Sequence, residues 1–252
     1  MRNDLSSVLL TGDNLWASCG ERTTIERLRR TGPHAFSEYH SYQLTDFLDL
    51  SANETVENDI EGLAEANYCL WLVGSHGLKR KQSDENDVDT AKKIAKLAKT
   101  KADPNRYLLA RMPLLRNAAT SEYELRKKNP RTTDPNQTLR ATQLHGNGRA
   151  NELLNALAQD PHLQAFIGIP GKDNGFDIEG LALPPTGQLF VGLCGPVLRG
   201  WAVVPELRLE EDEHGRLGEV RTRPKPATKS IFPTWAAWAC GNCACTTPIC
   251  RC

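Results

Sequence analysis

Short runs in which apolar and polar residues alternate, each closed by a turn signal, recur along most of the chain. DIEGLA is followed by Ala66-Asn67 and the apolar run CLWLVG; a second DIEGLA is followed by Pro184-Pro185-Thr186-Gly187 and QLFVGL. Side chains two apart share a strand face, so the alternation reads as half-buried strands and the breaks between runs as turns. TTIERLRR, NRYLLARMPLL and WAVVPELRLEE extend the pattern. The expected fold class is all-β.

The hexapeptides, Asp59–Ala64 and Asp177–Ala182, open a repeat that continues without gaps. Val73, Gly74 and Gly77 align with Val191, Gly192 and Gly195, so nine of the nineteen pairs from Asp59 to Gly77 are identical. A fainter copy places Asp4, Leu15 and Trp16 on Asp59, Leu70 and Trp71. The offsets, 55 and 118, read as one and two units of a single length. Antiparallel units repeated every 40–60 residues or so suggest propeller blades. The expectation is a partial, truncated β-propeller of about four blades over residues 1–230.

Two helical insertions interrupt the strands. The stretch 84–101 carries acids first and lysines towards its end, with Val88, Ala91, Ile94, Ala95 and Ala98 on one side and Pro104 just beyond. The second, 148–159, packs Leu153, Leu154 and Leu157 and stops before Pro161. Between them, RKKNPRTTDPNQTLRAT reads as a polar loop.

Basic and acidic residues balance at 31 each, so no global field draws the chain to nucleic acid or to an anionic membrane, and neither is expected as a partner. No apolar run approaches bilayer length. The opening MRNDLSSVLL carries an acid and polar residues where a signal peptide carries an apolar stretch. A cytoplasmic protein with reduced thiols is expected, and Cys19, Cys69 and Cys194 read as small buried residues.

The other five of the eight cysteines crowd into the end, WAAWACGNCACTTPICRC. Clustered thiolates invite a zinc reading, but FPTWAAWACGNCA shows neither alternation nor a turn where a further strand is due. Tryptophan has a single codon, so each Trp-Ala pair becomes a glycine codon when read two nucleotides later, and Asn242-Cys243 likewise becomes leucine. The shifted frame can spell Asp-Leu-Gly-Gly-Leu-Gly, a relative of DIEGLA. Residues 231–252 are therefore expected to be an out-of-frame, unstructured tail, which the nucleotide sequence around Phe232 tests.

In a strand, Asp59 and Glu61 share a face, as do Asp177 and Glu179. On inner strands these four carboxylates would converge, and oxygen-only ligands suit a hard cation such as calcium. A calcium ion there could polarise an ester or phosphoester and activate a water. The same carboxylates could instead accept backbone N–H bonds and lock neighbouring units, with Gly62 and Gly180 allowing close approach. Both readings stay open. His76, in SHGLKRK, is a candidate general base, and Lys79, Arg80 and Arg199 a cationic rim for an anionic ester or phosphoester. A loop histidine also serves as a plain hydrogen-bonding residue, and Arg199 could stack on Trp201. No phosphate-cradling loop, dinucleotide fingerprint or G-x-S-x-G elbow is present.

TTIERL, NDIEGLAEANYCLWLVGSHGLKRK, PNRYLLARMPL and GFDIEGLALPPTGQLFVGLCGPVLRGWAVV resemble, in order, the bacterial family called domain of unknown function 3616, from Asp4 to about Ser230. The resemblance implies a β-propeller related to phytase-like esterases, of uncharacterised activity, with later blades that this chain lacks. It also implies arginine at the position of Cys194 and leucine at that of Pro205. A proline there removes a ladder donor, and a cysteine removes a cation from a loop. Two functions carry forward: a calcium-assisted esterase or phosphoesterase, and a non-catalytic scaffold that binds a ligand or protein.

Overall fold

The computed structural model describes residues 5–52, 57–81, 89–120, 122–130, 138–184, 187–222 and 230–233. The chain builds three antiparallel sheets, one after another. The first runs β1 Leu5–Thr11, β2 Asn14–Cys19, β3 Thr24–Gly32 and β4 Ala35–Gln43 in that order. The second opens with β5 Ile60–Ala66 and β6 Cys69–Gly74. A small hairpin of β7 Lys79–Arg80 and β8 Thr100–Lys101 follows, and β9 Leu109–Arg116 and β10 Tyr123–Leu125 complete the sheet. Next, β11 Lys128–Pro130 pairs with β12 Thr138–Arg140, and β13 Thr142–Gln143 adds to β9. The third sheet takes β14 Asp177–Ala182 and β15 Leu189–Gly195. β16 Trp201–Val204 runs near β15, and beyond Pro205 the chain continues as β17 Glu206–Glu211, which pairs with β15, and β18 Leu217–Thr222, which closes the sheet. β19 Ser230–Pro233 pairs with β16.

β5 lies against β1 on one side and β14 on the other, which makes the second sheet the middle layer. Its strand β6 is buried at every position. Leu70 and Leu72 join Trp16, Ile25 and Leu63 in one core; Cys69, Trp71 and Val73 join Leu109, Ile178 and Val191 in the other. Two apolar faces explain why CLWLVG is continuously apolar where most strands alternate.

The fold is all-β, with two α-helices among the described residues: α1 Thr90–Leu97 and α2 Glu152–Leu157. Leu153, Leu154 and Leu157 of α2 are buried, as its spacing requires. The repeat spacing suggested about four units; among the described residues three larger sheets, of four, five and four strands, are found. The interval from Asp59 to Asp177 holds one sheet plus its insertions, so the offset of 118 is a single step.

Two further differences have local causes. Thr100 and Lys101, expected in the first helical insertion, form β8, because the Lys81 N–H donates to the Lys99 carbonyl at 3.0 Å and draws the segment back. The expected polar loop contains the β11–β12 hairpin, whose Leu139 is pulled into the core. Pro205 falls in the break between β16 and β17, although its carbonyl still accepts from Val191 N at 3.2 Å. Residues 84–88 of the first insertion lie outside the described residues. So do 234–252, with the five clustered cysteines; of the expected tail only 231–233, in β19, is described.

Candidate functional site

The two hexapeptides occupy like places, each forming the first strand of a sheet, and both bulge at the glutamate. Ile60 pairs with Gly74 and Gly62 with Val73; Ile178 pairs with Leu193 and Gly180 with Gly192. β1 does the same at Ser6, between Leu5↔Cys19 and Ser7↔Ser18, in step with the alignment of Asp4 on Asp59. A bulge takes one residue out of the ladder and re-aims its side chain. The Ile60 carbonyl beside the bulge accepts from Ser6 Oγ at 2.7 Å and Ser18 Oγ at 3.1 Å, which ties the first sheet to the second. The hairpins then diverge. Asn67 and Tyr68, with φ of 53° and 60°, make a tight two-residue turn that sets Trp71 opposite Ala64. The longer turn after Ala182 slips β15 by one residue, so Ala182 faces Phe190.

Asp59 precedes β5 with φ 49°. Its N–H donates to the Gly20 carbonyl and its own carbonyl accepts from Ser75 N, both at 3.0 Å. Its carboxylate pairs with Nη2 of Arg106, whose Nη1 donates to the Gly77 carbonyl at 2.9 Å. Arg106 closes the 3-10 turn Pro104–Arg106. Asp59 is thus held by backbone and by a buried cation at the junction of the first two sheets.

Glu61 on β5 and Asp177 and Glu179 on the adjacent β14 bear on one another through their charges. Burial, then the charges of Glu179 and Asp177, push the Glu61 carboxyl up to about 8, against the pull of Lys79. Burial and Glu179 push Asp177 up to about 7, opposed by Arg106, Lys172 and Lys79. Glu179 is raised as well: its surface is exposed, but the protein around it still strips away much of its hydration, and Arg106 only partly offsets this. Asp177 Oδ1 is buried without a hydrogen-bond partner. Only glycine fits beside this carboxylate, since a Cβ on Gly77 or Gly171 would come within 2.7 or 2.2 Å of its oxygens. Among the described residues no three His, Cys, Asp or Glu side chains form a group able to hold a metal ion. The four carboxylates read as calcium ligands therefore divide. Asp59 is committed to Arg106, and the other three crowd together without a ready-made metal cage.

His76 is buried, with φ 55°. Its Nδ1 lies 2.7 Å from the Gly74 carbonyl and its Nε2 2.8 Å from Asn151 Nδ2. A carbonyl only accepts, so Nδ1 carries the proton and Nε2 accepts from the amide. Burial pulls its pKa down to about 4, despite the hydrogen bonds to Gly74 and Asn151. With both nitrogens engaged, the general-base reading of His76 gives way to a structural one: the ring ties the segment after β6 to the residue that caps α2.

The cationic rim is largely neutralised. Lys79 pairs with Glu57 and lies 3.8 Å from Asp103. Arg80 Nε meets Asp173 at 2.6 Å. Arg199, exposed and with φ 53°, sits in the two-residue turn between Leu198 and Trp201. The cation–π contacts among the described residues join Arg111 to Trp71 and Arg30 to Phe36.

Arg106 and Asn151 escaped the reading of the sequence. Their signals were local: a proline opening a short turn at Asp103-Pro104-Asn105-Arg106, and an asparagine just before a leucine-rich helical stretch.

These features define an all-β protein of successive four- and five-stranded antiparallel sheets with an acidic cluster where the second meets the third. The chain belongs to the family described as Protein of unknown function (DUF3616), whose model matches residues 4–230. Neither a curated protein nor a solved structure matches it. No helix among the described residues is long and apolar enough to cross a membrane.

Proposed function

We propose that the chain is a non-catalytic binding scaffold of the β-propeller type, whose acidic cluster takes an ammonium or guanidinium group from a small ligand or a partner side chain. One observation carries this. Glu61, Asp177 and Glu179 crowd together, with Glu61 pushed up to about 8 and Asp177 to about 7. Crowded carboxylates disfavour one another's charged forms, and a bound cation relieves that cost. An organic cation binds through directed N–H donors and needs no cage of six or more oxygens. The propeller reading draws on β1, β5 and β14, which lie side by side as the inner strands of blades do. A cytoplasmic location fits the free, buried thiol of Cys19.

Thermal melting of the full chain with agmatine, with calcium and with a chelator tests the reading. A saturable rise in Tm with agmatine, lost in Glu61→Gln/Glu179→Gln, supports it. No rise, or an equal rise in both proteins, overturns it.

The second reading is a calcium-assisted hydrolase of an ester or phosphoester. It is favoured by Asp177, whose unpartnered Oδ1 and pKa of about 7 suit proton transfer near neutrality. A Tm rise with calcium alone, together with ester or phosphoester hydrolysis lost in Asp177→Asn, selects it.

A further inference from the structure

The first hairpin of each sheet repeats one register: Leu9 pairs with Trp16, Ala64 with Trp71 and Ala182 with Phe190. The aromatic residue stands each time on the back face, towards the next sheet in sequence. Trp16 joins Ile60, Leu63 and Leu70, on the front face of the second sheet, and is 0% exposed. Trp71 joins Ile178, Leu181 and Leu189, on the front face of the third, and is 5% exposed. Phe190, the last of the series, is only half-buried, as are Gly180, Ala182 and Gly192 beside it. At the other end, Leu5, Val8 and Leu15 hold the front-face positions of the first sheet, in step with Ile60, Leu63 and Leu70. None of their counterparts in the second and third sheets is more than 8% exposed, whereas Leu5 is 52% exposed and Val8 and Leu15 are half-buried. Among the described residues, neither Phe190 nor the set of Leu5, Val8 and Leu15 joins either core.

We propose that the back face of the third sheet binds the front face of the first sheet of a second copy of this chain, with Phe190 of one copy on Leu5, Val8 and Leu15 of the other. The occupant follows from contacts the chain already makes. The same packing is built twice inside it, between the first and second sheets and between the second and third, and one half of that packing is left over at each end. The two spare halves cannot meet within one chain, because the second sheet lies between them. Their fit extends to single positions. Where the second and third sheets touch, Leu181 comes within 2.9 Å of the place a Gly62 Cβ would take. Val8 aligns with Leu181, and Gly180 with Gly62. A Cβ on Gly180 meets nothing nearer than Gly192 Cα at 3.9 Å, which leaves space for Val8 of the second copy. Phe190, an aromatic ring set among small residues, is the anchor of the contact. The two faces are unlike, so the contact is heterologous. A second copy is a partner that carries the required apolar set at the required spacing.

Sedimentation velocity of the full chain over a range of concentrations reads the contact. A mass above that of one chain, rising with concentration, is expected. Phe190→Ser removes the anchor from one face and Leu5→Ser/Leu15→Ser strips the other, and each should weaken self-association about thirtyfold or more. These side chains are only partly buried, so both variants should melt close to the wild type. Mixed in equal amounts, the two variants should form a complex of two chains and grow no further, since one supplies an intact front face and the other an intact back face. That complex also shows both variants to be folded. A wild type that stays a single chain up to its highest soluble concentration overturns the proposal, as does a mixture that stays single chains. A variant that associates like the wild type overturns it too, because a face would then be packing on its own copy.

Discussion

Arg106 holds the Asp59 carboxylate with one guanidinium nitrogen and the Gly77 carbonyl with the other. Their side chains are only 7% and 14% exposed, so removing either partner leaves a charge stranded at low dielectric. Arg106→Ala is expected to cost ~3 kcal/mol or more in urea unfolding. A loss well under ~1 kcal/mol, the range of exposed pairs, would mean the pair locks nothing.

His76 makes stability depend on acid. Its pKa in the fold is about 4, below the ordinary 6.5, so as pH falls the unfolded chain takes up the proton first. Its contribution is complete above about pH 6.5 and drains away by roughly 1.4 kcal/mol per pH unit down to about 4. His76→Asn should be less stable at pH 8 and show a flatter slope between 6.5 and 4. Parallel slopes for variant and wild type would contradict the buried neutral ring.

Glu61 and Asp177 act with the opposite sign. Their pKa values are raised to about 8 and 7 from the usual 4.5 and 3.8, so the folded chain keeps protons that the unfolded chain releases. Their contribution is complete below about pH 4 and is lost as pH climbs towards 8. Glu61→Gln and Asp177→Asn stay neutral, and each should exceed the wild type in stability at pH 8 by on the order of 1–3 kcal/mol. Melting at pH 4 and pH 8 checks this. An advantage larger at pH 4 would show that the carboxyls do not crowd one another.

The two repeat glycines should respond differently. A Cβ on Gly62 would stand 2.8 Å from Leu181 N and 2.9 Å from Leu181 Cβ, whereas one on Gly180 meets nothing nearer than Gly192 Cα at 3.9 Å. Gly62→Ala is expected to cost ~1–3 kcal/mol by overpacking, and Gly180→Ala less than about 1 kcal/mol. Equal losses would contradict the close packing of β5 on β14.

The strands were legible because their cause is local. Alternation, glycine punctuation and an identical hexapeptide placed β5 and β14, and even the shared bulge follows from the alignment that sets Ser6, Glu61 and Glu179 in one column. The number of sheets was not legible, because an insertion of helix and hairpin lengthens one repeat to almost the span of two. The fate of each acid was hidden for a different reason. Asp59 and Asp177 look alike in the hexapeptide, but what neutralises Asp59 is Arg106, 47 residues away and brought near only by the packing of the turn before β9. The partner of His76 was hidden in the same way, since Asn151 lies 75 residues further on.

Gly62 is a socket filled by Leu181 of the third sheet, whereas among the described residues nothing comes nearer to a Cβ on Gly180 than Gly192 Cα at 3.9 Å. Each seam therefore joins unlike surfaces, the trailing side of one layer to the leading side of the next, and the series has a direction, like the treads of a spiral stair. A head-to-tail seam never satisfies itself in a pair; it ends only by curving into a ring or by meeting a different cover. Whatever seals the last socket sets how far such a series can grow, and a bulky side chain at position 180 is one way to stop it.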